Sequence, residues 1–126
     1  MLFLRTEKDF SVSVEKALDE IDKDWRDYEG LIISGTHSPD IIDEKLEALK
    51  EAREKGTPAL GICFGMQLMV IEYARSMGLN ANTTEIEETE HPVIHKLPKL
   101  RVGIFKVDWP TFGSRMESHW HNYAFN

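Results

Sequence analysis

The run Gly61-Ile62-Cys63-Phe64-Gly65 constrains this chain more than any other segment. It joins an apolar strand pattern, Pro58-Ala59-Leu60-Gly61-Ile62, to a helical pattern that begins near Gly65 and stops at Gly78. A cysteine between two glycines at such a junction is the thiol form of the nucleophile elbow. The tight turn forces the central residue into strained backbone geometry, and side chains at the flanking positions would collide. The helix that follows should direct its positive end at the sulfur, favouring thiolate over thiol. The Phe64 amide is then available to stabilise a developing oxyanion. As the single Cys of the sequence, Cys63 excludes an internal disulfide and any multi-cysteine metal site. The plain alternative is a small buried hydrophobe.

The rest of the chain alternates short apolar runs with amphipathic stretches, the pattern of an α/β protein. Leu2-Phe3-Leu4 reads as a first strand, followed by a helix with Phe10, Val14, Leu18 and Ile21 on one face and Asp9 as its cap. A polar link from Asp22 to Glu29 leads to Leu31-Ile32-Ile33, a continuous apolar run suited to a strand covered on both faces. Gly35-Thr36-His37-Ser38-Pro39-Asp40 is a turn into a second helix, with Ser38 as N-cap and Pro39 at the first helical position. That helix should bury Ile42, Leu46 and Leu49 and end at Gly56. The helix after Cys63 is apolar on nearly every side, which predicts central packing.

Beyond Gly78 the segment from Asn80 to Glu90 is polar and reads as a loop or flap. Val102–Val107 and Met116–Phe125 read as strands separated by Trp109-Pro110-Thr111-Phe112-Gly113. The order predicts one domain over residues 1–126, a three-layer α/β sandwich with a mostly parallel sheet of flavodoxin-like type. In such a sheet Ser34-Gly35-Thr36-His37 lies at the carboxyl edge beside the elbow, where its amides can complete an oxyanion hole. Taken alone, the segment is better read as a plain strand-to-helix turn with Gly35 supplying positive φ.

The 126 residues are 41% hydrophobic, enough for one core, and carry 15 basic against 22 acidic residues, a formal charge of −7. No basic patch suited to nucleic acid is visible, and no run approaches the roughly 20 apolar residues of a membrane helix. A soluble, cytoplasmic protein is expected, with no nucleic-acid or membrane partner.

Gly61-Ile62-Cys63-Phe64-Gly65-Met66-Gln67 followed by Val70-Ile71-Glu72-Tyr73-Ala74-Arg75 resembles the class I glutamine amidotransferases, and within them the glutaminase domain of CTP synthase. Asn80-Ala81-Asn82-Thr83-Thr84-Glu85, His91-Pro92-Val93-Ile94 and the stretch Glu117 to Asn126 carry the same resemblance. It implies that Cys63 attacks the side-chain amide of glutamine to form a thioester and release ammonia. It also implies that the amides of Thr36 and Phe64 hold the oxyanion, that Gly35 and Gln67 shape the substrate site, and that Glu85 pairs with the α-ammonium. The resemblance places the chain in pyrimidine metabolism and implies no cofactor and no metal.

Several positions depart from the family pattern. The family's catalytic His-Pro-Glu segment would follow Asn126, so a shortened domain is expected. Gly35-Thr36-His37-Ser38 stands where the family has Gly-Gly-Phe-Gly, and a β-branched Thr resists positive φ. Ser118, Trp120 and Asn122 stand where the family has arginines; at Asn122 that arginine holds the glutamine α-carboxylate. His37, His119 and His121 are candidate substitute bases, the last two on one face if their segment is a strand. Alternate spacing would also let Glu117, His119 and His121 approach a metal, but no fourth ligand is evident.

The expectation is therefore an amidotransferase-like chain, weak or inactive in glutamine hydrolysis. Two alternatives stand beside it: an active small glutaminase using a substitute base, and a thiol hydrolase or redox sensor on the same fold. Glutamine would be the ligand if the chain is active. Self-association, or a protein partner, is expected to cover the sheet edge.

Overall fold

A computed structural model describes residues 2–4, 11–21, 29–35, 41–86, 89 and 92–125. The chain divides into two compact units, Met1–Ala81 and Asn82–Asn126. The first is α/β. Strands β1 (Leu2–Leu4), β2 (Leu31–Ile33) and β3 (Ala59–Gly61) form a parallel sheet in the order β1-β2-β3. Phe3, Ile32 and Leu60 lie in register across it. Helix α1 (Ser11–Ile21) connects β1 to β2, and α2 (Ile42–Lys55) connects β2 to β3. Parallel neighbours require such crossovers. Helix α3 (Phe64–Ser76) follows β3 after two residues.

The β2 run is buried throughout, as its unbroken apolar sequence predicts. Ile33, Leu68 and Ile71 are fully buried, and Leu49, Ala52, Phe64 and Ala74 surround them as the core of this unit. Two helix ends follow the sequence closely. Gly56 adopts φ 68° and its amide donates to the Arg53 carbonyl, while the Thr57 amide donates to that of Ala52. Gly78 takes φ 85° just past α3.

Other expectations need correction. Helix α2 begins at Ile42, not at Ser38–Asp40, and those residues, like the proposed Asp9 cap, lie outside the described set. Its N-cap is Ile41 at φ 53° with no side-chain cap bond. Asp43 and Glu44 in the first turn complement the exposed amides instead. With this start the buried positions are Lys45, Leu49 and Ala52, whereas Ile42 and Leu46 are half-buried. Helix α3 is not buried all round, because Met66 and Tyr73 are exposed.

The second unit is a three-stranded sheet in the order β4-β5-β6, built from β4 (Asn82–Thr83), β5 (Pro92–Trp109) and β6 (Gly113–Phe125). The short β4 lies parallel to the start of β5. Strands β5 and β6 form a long antiparallel ribbon, with an irregularity between Lys96 and Arg101. The expected strand at Val102–Val107 is thus much longer, running from Pro92 to Trp109. The expected loop at Asn80–Glu90 contains β4 and a turn in which the Glu85 amide donates to Thr83 Oγ1 at 3.2 Å. Among the described residues no helix is long and apolar enough to cross a membrane.

Candidate functional site

Cys63 is the N-cap of α3, with φ 55° and ψ −115°, and it is exposed. A non-glycine residue holds such a conformation only when its surroundings over-determine it. The surroundings here are main chain. The Ile62 amide donates to the Ile33 carbonyl at 2.9 Å, tying the turn to β2, and the Gly65 amide donates back to the Ile62 carbonyl at 2.9 Å. The Cys63 carbonyl accepts from Met66 at 3.1 Å and from Gln67 at 3.4 Å, starting the helix.

The flanking glycines are sterically required. A Cβ on Gly61 would stand 2.6 Å from the backbone of Gly65 and Met66, and one on Gly65 would stand 2.1 Å from the Ile33 carbonyl oxygen. The sulfur-bearing residue is therefore lifted to the surface where β3 gives way to α3. The Phe64 amide opens α3 and is one of the first four helical amides, which have no intrahelical acceptor. Gly35 is buried directly after β2, and Gln67 is half-buried one turn into α3. Thr36 and His37 lie outside the described residues.

A feature the sequence did not disclose ties α3 to α2. The Arg53 guanidinium grips the Glu72 carboxylate with Nε at 3.0 and 3.1 Å and Nη2 at 2.9 Å. The Glu72 side chain is largely buried, and its hydrogen bond raises the pKa of Arg53 further above its already high ordinary value. Elsewhere on α2, the exposed Glu51 carboxyl is held below its ordinary pKa by its hydrogen bond from Lys55. No local pattern announces a pair 19 residues apart; only the packing of two helices creates it.

Glu85, His119, His121 and Asn122 belong to the second unit. Glu85 is exposed in the turn after β4. His119 and His121 share one face of β6, with His119 Nδ1 and His121 Nε2 3.0 Å apart. His121 Nδ1 lies 2.7 Å from the Tyr123 carbonyl, which can only accept, so Nδ1 carries the proton. In the neutral pair His121 Nε2 is then the acceptor, His119 Nδ1 the donor, and His119 Nε2 the nitrogen with a free lone pair. The Phe105 ring meets the His119 ring edge-on at 5.2 Å between centroids. Asn122, by strand alternation, lies on the opposite face from these histidines. No group of three or more metal-ligating side chains occurs among the described residues.

The sequence profile of the family described as "Glutamine amidotransferase class-I" matches residues 6–126. CTP synthase of Methanococcus maripaludis is 54% identical over 74 residues, which cover 57% of this chain and 14% of that protein. CTP synthase of Aeropyrum pernix is 35% identical over an alignment covering 92% of this chain and 26% of the relative. The chain thus spans only about a quarter, or less, of these relatives' length. Among solved structures, the glutaminase domain of Trypanosoma brucei CTPS with bound acivicin superposes with a TM-score of 0.67. At 24% identity it covers 86% of this chain and 49% of that one, which establishes a common fold. With an α/β sheet, a glycine-flanked cysteine turn and a profile match along almost its whole length, the chain belongs to the class I glutamine amidotransferase family and is related to the CTP synthase glutaminase domain.

Proposed function

We propose that Cys63 is the nucleophile of a glutamine-directed thiol site, and that this chain by itself turns glutamine over weakly. The observation that carries the reading is the exposed Cys63 at φ 55°, held between two glycines that admit no side chain. In the reaction, the Cys63 thiolate attacks the side-chain amide carbon, and the tetrahedral oxyanion is held by the Phe64 and Thr36 amides. The C–N bond then breaks, ammonia leaves with an added proton, and water hydrolyses the thioester to glutamate and free thiol. His37 is the side chain proposed to supply that proton, with His119 and His121 as alternatives that exclude a substrate contact by Asn122, which lies on the other face of β6. Gly35, Gln67, Glu85 and Asn122 would line the amino-acid end of the substrate.

Weak turnover follows from two residues. Asn122 offers no charge to the α-carboxylate, and a charge-assisted bond of this kind is worth about 2 kcal/mol. Thr36, being β-branched, resists the left-handed backbone that aims an oxyanion donor. Acivicin, found bound to the trypanosomal domain, is the natural probe. Incubation of the full chain with acivicin should leave an adduct that peptide mapping places on Cys63 and that Cys63→Ser abolishes. Glutamine should yield ammonia and glutamate only slowly. No adduct, together with no product above the Cys63→Ala background, would sink the nucleophile; rapid turnover would overturn the weak-activity part.

A second reading, a non-catalytic binding module of the same fold, is favoured by the exposed apolar side chains of the β5–β6 ribbon. It is distinguished by a Cys63→Ser chain that behaves as the wild type in every assay.

A further inference from the structure

Strand β6 carries two imidazoles that point at one another. His119 and His121 are two residues apart, so they share a face of the strand, and both are half-buried. His119 Nδ1 and His121 Nε2 stand 3.0 Å apart, with ring centroids 5.2 Å apart. An ion held tetrahedrally at about 2.0 Å by two imidazole nitrogens sets those nitrogens about 3.3 Å apart and the ring centres about 5.1 Å apart. The pair therefore has to part by only a few tenths of an ångström, with a small tilt of the rings, to admit a metal ion.

Two further contacts favour that use. His121 Nδ1 lies 2.7 Å from the Tyr123 carbonyl, which fixes the proton there and leaves the Nε2 lone pair facing His119. A metal-binding histidine characteristically donates its other ring N–H to such an oxygen, which raises the basicity of the ligating nitrogen. The Phe105 ring meets His119 edge-on at 5.2 Å and restrains its rotation. His119 becomes a ligand through Nδ1 by moving its own proton to Nε2, the other neutral tautomer, so the neutral pair binds without losing a proton. The nearby charges oppose one another. Arg101 pairs with His121 across the ribbon, but its guanidinium lies over the Phe105 ring, 5.5 Å from the centroid. Glu117, two residues before His119, brings a carboxylate to the same face.

We propose that His119 and His121 form a two-imidazole chelate for a first-row divalent metal ion of the zinc and copper type, with water filling the remaining positions. Imidazole selects such ions over Mg²⁺ and Ca²⁺, which take oxygen ligands. The site does not rest on glutamine chemistry, and a metal there withdraws both rings from proton transfer. Two protein ligands stand where a structural zinc site has four, so the dissociation constant for Zn²⁺ near neutral pH should be on the order of 10 μM.

Isothermal titration calorimetry with zinc chloride tests it, on the full chain carrying Cys63→Ser so that the thiol does not compete for metal. One Zn²⁺ should bind per chain, and about 5 mM Mg²⁺ should not displace it. His119→Gln and His121→Gln should each weaken binding about tenfold or more. His95→Gln, on β5, should leave it unmoved. Ring ¹⁵N NMR of the same chain with both histidines intact should show His119 Nδ1 and His121 Nε2 shifting together as Zn²⁺ is added, a readout that does not depend on how either variant folds. No binding up to about 1 mM Zn²⁺, a bound ion indifferent to either histidine variant, or ring signals that shift in only one of the two residues would overturn the proposal.

Discussion

The two units of the chain use glycine and side-chain exposure in opposite ways. Around Cys63 backbone lies against backbone: Gly61, Gly65 and the Ile33 carbonyl are so close that a single methyl cannot enter. In the β5–β6 ribbon the two strands pair in register from Arg101–His121 to Trp109–Gly113, yet a row of large side chains stands in solvent. The first region tolerates no added volume and holds one residue in a strained conformation. The second is set by strand register, and its outward side chains meet only solvent within this chain. Where one atom is fixed, main chain packs on main chain; where strand pairing sets the geometry, side chains are left to solvent.

The sharpest way to break this contrast is Gly65→Ala. Its Cβ would lie 2.1 Å from the Ile33 carbonyl oxygen, so β2 and α3 must separate. Urea unfolding should show a loss of about 3 kcal/mol or more, and a loss below about 1 kcal/mol would refute the steric reading. Next in size is Cys63→Gly. Glycine reaches positive φ without penalty, so releasing the strain should raise stability by about 1 kcal/mol while abolishing thiol labelling. A variant less stable than the wild type would show that Cys63 is not strained. The smallest effect belongs to the ribbon. Trp120→Lys, at a side chain 81% exposed, should change unfolding stability by no more than about 0.5 kcal/mol. A larger loss would mean that this tryptophan is part of a core.

Legibility in the sequence follows the same division. The cysteine turn could be read directly because its glycine requirement is local, and so could the helix ends at Gly56 and Gly78, whose positive φ suits no other residue as well. The β2 strand was plain from Leu31-Ile32-Ile33. The extent of β5 was hidden, since Pro98 and the flanking Lys96 and Lys99 interrupt its pattern just where the pairing with β6 is irregular. β4 was hidden because Asn82 and Thr83 are polar although buried: the Thr83 amide donates to Asn82 Oδ1 at 2.9 Å, an interaction hydropathy does not register. The start of α2 at Ile42 overrode good capping chemistry at Ser38. The Arg53–Glu72 grip was invisible for a different reason: it belongs to the packing of α2 on α3, not to either helix alone.

The amide of Ile62 and the absent side chain of Gly65 both address one carbonyl, that of Ile33. Because carbonyl and amide groups are common to nearly all amino acids, the coordinates of the sulfur are insulated from side-chain replacements around it, Gly61 and Gly65 excepted. Descendants of such a chain can exchange the chemistry around the thiol, or abandon it, long before the thiol itself is displaced.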